Sequence, residues 1–196
     1  VSTSPSQVAL GVYNPIILKW FTKPWKIDEQ LNIFYSFYDE LSQFLNISSY
    51  NAIGIYKYLN TAGDQNNWLT KSKSAHKSQY MSSELFTLPN KQLINSNFYG
   101  YINHAGRIDV QHLLKSFRDY CLNINRIIEK SFIYKELIVN KEEVIYNNII
   151  AKNIIFCEGP SAISNPYFNK LNYSLNKGET VTILSKELNL NQIIHA

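Results

Sequence analysis

The chain has 196 residues, 45% hydrophobic and 17% charged, with 14 Tyr and 10 Phe, so it can bury a substantial core and is not a disordered segment. Only 7 Gly and 6 Pro are spread along its length, which excludes a collagen-like or linker composition. The net charge of +4 rests on basic residues that stand singly among polar neighbours, so no nucleic-acid footprint is indicated, and no run approaches the ~18 apolar residues of a membrane span.

Residues 1–15 read as loop, with Pro15 holding Asn14 out of the helical region. From Ile27, apolar residues recur at Leu31, Phe34, Tyr38, Leu41 and Leu45, the pattern of an amphipathic helix of about five turns with Asp28 and Glu29 at its positive end. Residues 52–59 are rich in β-branched and aromatic side chains and read as a strand, followed by turn chemistry at 60–64. Asp64 is expected to cap a short helix reaching about His76, with Trp68, Leu69 and Ser72 on its buried side. Residues 77–97 read as short strands and loops, and 98–104 as a strand running into a turn at 105–109.

Asp109 then caps a helix whose apolar face is Val110, Leu113, Leu114, Phe117, Cys121, Ile124 and Ile128. After Lys130 the period becomes that of strands, over 131–139, 142–146 and 148–157, with Asn147-Asn148 as a hairpin turn. The apolar run 154–157 is expected to be a buried strand that stops at the loop Glu158-Gly159-Pro160-Ser161. A last strand is placed at 179–184, and the apolar tail from Leu188 is expected to continue into further structure. The fold class is α+β: an antiparallel sheet of 52–59, 98–104 and 179–184, with helix 109–129 packed on the meander that follows it.

Several chemistries are excluded by spacing. None of the Gly residues forms G-x-G and no P-loop is present, so the chain carries no Rossmann phosphate site. His76, His104, His112 and His195 are isolated, and Cys121 and Cys157 have neither disulfide-framework nor metal-ligand spacing, so no metal site is expected; reduced thiols fit a cytoplasmic protein. Ser161 lacks the G-x-S-x-G setting of a hydrolase nucleophile, and Asp109 with His112 is explained by helix capping. No catalytic residue is identified.

What remains is an ordered set of loop segments: residues 6–15, Gly106-Arg107-Ile108-Asp109, Cys157-Glu158-Gly159 and Asn176-Lys177-Gly178-Glu179. As a set these resemble the middle of the glycine oxidase and D-amino acid oxidase type of FAD-dependent oxidoreductase, over nearly the whole chain and most strongly from Tyr99 to Leu184. The resemblance implies that 1–50 holds a flavin-proximal segment and a helix of an FAD domain, and 51–105 a substrate-domain sheet. It further implies that 106–170 holds the helix and β-meander of the incomplete FAD domain, and 171–196 the return to the substrate sheet.

The resemblance also implies cofactor contacts at Ala9, Gly11, Val12, Ile133, Glu158 and Gly159, with small residues letting the backbone approach FAD and the main chain of Ile133 holding the adenine. It places the glycine fingerprint before Val1 and the substrate-carboxylate Arg after Ala196, so this stretch alone is expected to bind FAD weakly or not at all. The implied reaction is oxidation of a C–N bond of a small amine or amino acid by hydride transfer, which requires positioning rather than an acid–base dyad. Tyr56, Tyr99 and Tyr101 are strand tyrosines placed to line the sheet facing the flavin. Two other readings differ in their partners: the FAD domain of a tRNA wobble-uridine modification enzyme, which calls for a basic surface and against which the modest +4 and scattered Lys residues argue, and a non-catalytic scaffold whose tyrosine-rich sheet recognises a partner.

Overall fold

A computed structural model describes residues 4–88, 98–185 and 190–196, so the part of the 77–97 reading that falls on 89–97, and the tail at 188–189, lie outside the described residues. The chain forms two units, one running to Asn123 and including Thr180–Ala196, the other Ile124–Glu179. Helices and mixed or antiparallel sheets put the fold in the α+β class.

In chain order the elements are β1 (Val12–Tyr13), α1 (Ile27–Leu45), β2 (Tyr50–Asn51), β3 (Ile55–Leu59), α2 (Ala62–Ser72), β4 (Met81–Phe86), β5 (Phe98–Ile102), β6 (Gly106–Ile108) and α3 (Val110–Asn123). The smaller unit adds β7 (Leu137–Val139), β8 (Val144–Tyr146) and β9 (Ile149–Ala151), and the chain returns to the larger unit in β10 (Ile193–His195).

The main sheet runs β10-β3-β5-β4, with β10 parallel to β3 and the other pairs antiparallel. Its register sets Ile55 opposite Ile102 and Lys57 opposite Gly100. Trp68, on α2, is 0% exposed and lies against Gly100, where a Cβ would fall inside the indole ring. Only glycine leaves room for that contact. Ile16, Phe21, Ile27, Leu31, Ile55, Leu59, Tyr80, Met81, Ile102 and Ala105 share this core, and the indole N–H donates to the Ser82 carbonyl at 2.9 Å, so the ring is buried with its polar atom satisfied.

The α2 start is a capping box. Thr61 is the N-cap and accepts from the Asp64 amide at 3.1 Å, while Asp64 accepts from the Thr61 amide at 3.0 Å. Asp64 is therefore the third helical residue rather than the cap, and the helix stops at Ser72 rather than near His76. Trp68 and Ser72 are its buried residues.

Helix α1 matches its expected span, and its first-turn Asp28 accepts from Lys23, from Gln79 at 2.9 Å and from the Tyr80 hydroxyl, tying the helix start to the chain before β4. Residues 106–108, read as a turn, are instead the central strand of a second sheet, β1-β6-β2. The amides of Ile108 and Asp109 need acceptors and find them in Gly11 at 2.9 Å and Ser49 at 3.1 Å. Asp109 does accept from the His112 amide, at 3.1 Å. Helix α3 ends at Asn123 instead of 129; its neighbours are the 3₁₀ turn Pro5–Val8 and α1, where Phe44 and Tyr120 meet at 4.7 Å.

Two expected strands are absent. Residues 179–184 join no strand ladder among the described residues, Val181 and Ile183 are 83% and 81% exposed, and the place beside β3 belongs to β10. Residues 154–157 form no strand, and Ile155 is 84% exposed. The meander itself forms with shorter strands, and Tyr146 opposite Ile149 leaves Asn147-Asn148 as the two-residue turn, with Asn147 at φ 51°.

Candidate functional site

Strand alternation gives the main sheet two different faces. Ile55, Leu59 and Ile102 point to the α2 core, so Tyr56, Tyr58, Tyr99 and Tyr101 occupy the opposite face. Tyr56 and Tyr101 are cross-strand partners with ring centroids 4.8 Å apart, Tyr58 and Tyr99 are 5.6 Å apart, and Phe86 joins the first pair at 6.1 and 5.9 Å. The three tyrosines selected from the sequence thus share one aromatic surface. Tyr99 is 3% exposed, and burial raises the phenol pKa of both Tyr99 and Tyr101, keeping them protonated and able to donate. Along the β4 edge, beside the register shift between Met81 and Leu85, a groove of about 570 Å³ is lined by Tyr101, Phe86, Asn103, Ser82, Glu84 and Lys73.

Gly11 has φ 69°, and a Cβ there would run into the Ile108 carbonyl and come within 2.9 Å of Val110 Cγ2. Among the described residues, the close approach this glycine permits is to β6 of its own chain. Ala9 ends the Pro5–Val8 turn and is exposed, and Val12 is an exposed β1 residue paired with Arg107.

In the smaller unit, Glu158 is held on both oxygens: the Tyr134 hydroxyl donates to one and Asn165 Nδ2 to the other at 2.6 Å. Asn165 is fully buried and its Oδ1 accepts from the Tyr167 amide at 2.9 Å. The hydrogen bond to Glu158 raises the Tyr134 phenol pKa, with burial second. Next to this cluster Gly159 has φ 55° and nothing within 4 Å of where a Cβ would stand. Here the backbone faces open space.

Ile133 is less free than expected, because its amide donates to the Tyr146 hydroxyl at 3.1 Å and its carbonyl accepts from Glu136 at 3.0 Å. Beside it a groove of about 610 Å³ is walled by Ile128, Ser131, Phe132, Tyr146 and Ile149, with Phe132 and Tyr146 stacked at 4.3 Å.

Six of the nine sequence-selected residues therefore fall in the larger unit, and Ile133, Glu158 and Gly159 in the smaller. Tyr134 and Asn165, which hold Glu158, were not selected: a tyrosine beside Ile133 and an asparagine seven residues past a glutamate leave no readable spacing.

For a dinucleotide such as FAD the fit is partial. The groove offers the faces of Phe132 and Tyr146, whereas α1, α2 and α3 carry Asp28, Asp64 and Asp109 at their starts, which disfavours a pyrophosphate there. No group of acidic, His and Cys side chains among the described residues is arranged to hold a metal. No helix of the described residues is long and apolar enough to cross a membrane. No protein-family model matches the chain, and no solved structure matches it.

Proposed function

We propose that the chain is the central part of a cytoplasmic FAD-dependent oxidoreductase that oxidises a C–N bond of a small amine or amino acid. The observation that carries this reading is the division of the main sheet into a core face under α2 and an opposite face on which Tyr56, Tyr99 and Tyr101 are gathered. Such a face suits substrate positioning: protonated phenols donate to a carboxylate, and the rings attract a cationic amine. When bound, FAD supplies the hydride acceptor, so the chain's own task is to orient the substrate carbon and exclude water.

In the smaller unit, Tyr134 and Asn165 fix Glu158 and thereby the start of the turn in which Gly159 lies open; the aromatic groove beside Ile133 is the proposed seat of the adenine, with Ile128 and Ile149 as apolar walls.

Flavin content of the natural full-length protein tests the proposal. A yellow protein that loses its flavin on Gly159→Val while staying folded agrees with it. A colourless protein overturns it.

A further inference from the structure

The alternation that sends Ile55 and Leu59 into the core places Lys57, midway between them, on the same side of β3. A lysine there is unusual, because an ammonium loses hydration that apolar neighbours do not replace. Its partner across β5 is Gly100, which offers no side chain, while on the other flank β10 brings His195 into register. Lys57 Nζ lies 3.2 Å from His195 Nδ1. Among the described residues no carboxylate forms an ion pair with Lys57; the acid whose charge acts on it, Asp64, is engaged with Thr61 in the capping box. A cavity of about 310 Å³ opens at this point, walled by Phe21, Tyr58, Leu59, Asn60 and Asp64.

We propose that Lys57 is a carbonyl-capturing amine, which condenses with a small neutral aldehyde in this cavity. Partial burial lowers its pKa against the opposing charge of Asp64, and burial followed by the Lys57 charge lowers that of His195, which raises the share of free amine available to attack. The Nζ lone pair attacks the carbonyl carbon as the C=O π pair moves to oxygen, and a proton passes from nitrogen to that oxygen by way of His195 Nδ1. The nitrogen lone pair then expels the hydroxyl, which leaves with the second Nζ proton as water, and an imine remains. No oxidant or reductant is needed. Phe21 and Leu59 accommodate an alkyl group, while the carboxylate of Asp64 disfavours an anionic 2-oxo acid. This site does not depend on the flavin reading.

The test treats the natural full-length protein with acetaldehyde and cyanoborohydride at neutral pH, which reduces the imine to a stable N-ethyl group, and maps the modified lysines by mass spectrometry. Lys57 is expected to be labelled several-fold more than the exposed Lys26 and Lys73, and His195→Asn to slow labelling at Lys57 alone. Equal labelling of the three lysines, or labelling at Lys57 that His195→Asn leaves unchanged, would overturn the proposal.

Discussion

The two units are held together by different means. Around Trp68 the larger unit closes an apolar core contributed by β3, β4 and β5, by α1 and α2, and by the chain at Ile16 and Phe21. In the smaller unit, Leu137 and Asn165 are the only buried positions among the described residues, and cohesion comes from rings, Phe132, Tyr134, Tyr146, Phe156, Tyr167 and Phe168, gathered near a carboxylate held on both oxygens. Apolar burial scales with area and tolerates changes of charge, whereas a polar cluster fails when one partner is removed. The first arrangement makes a rigid platform; the second leaves surfaces such as that beside Gly159 open to a ligand.

The comparison breaks most visibly at Trp68. Trp68→Ala leaves a cavity under Gly100 and is expected to destabilise the larger unit by about 3–5 kcal/mol, read by urea unfolding. A loss under 1 kcal/mol would mean that the sheet does not rest on this ring. Next in size is Gly11→Val, which drives a branched side chain into the Ile108 carbonyl at positive φ and should cost about 1–3 kcal/mol with loss of the β1–β6 pairing. Gly159→Val has the φ strain alone, so its stability loss should be the smaller of the two; equal losses would remove the distinction between a packing glycine and an open one.

Glu158→Gln sharpens the contrast from the other side. Replacing the carboxylate weakens the bonds from Tyr134 and Asn165, and a loss of about 1–2 kcal/mol confined to amides of the smaller unit is expected in hydrogen exchange. Unchanged protection would show that the rings alone hold the turn.

The smallest effect concerns Asp28, whose carboxyl is held below the usual carboxylate range by the hydrogen bond from Lys23, then that from Tyr80. A depressed folded pKa contributes stability above the unfolded value, about 3.9, which is lost as the pH falls through the folded value. The stability difference between the wild type and Asp28→Asn should therefore be present at neutral pH and shrink below pH about 4. A difference that grows in acid would contradict the assignment.

How legible these features are in the sequence follows from how local their causes are. Helix α1 is read to the residue from its apolar spacing, and the Asn147-Asn148 turn from its composition, because both depend on neighbours along the chain. Strand β6 was missed since three residues show no period, and what makes it a strand is acceptors from Gly11 and Ser49. Residues 154–157 and 179–184 have strand composition but no partner edge, and β10 has a partner in β3 but only three residues to announce it. The tyrosine face was readable from alternation in 55–59 and 98–102. The Lys57–His195 pair was not, since a register between strands 138 residues apart carries no sequence signal.

The proposed passage of a hydride from a C–N bond into FAD is read by anaerobic mixing of the natural full-length protein with a panel of small secondary amines and amino acids. Bleaching of the flavin by at least one of them, slowed when Tyr56 and Tyr101 are both changed to Phe, is expected. A protein without flavin, or a flavin that dithionite reduces but no amine or amino acid does, would contradict it.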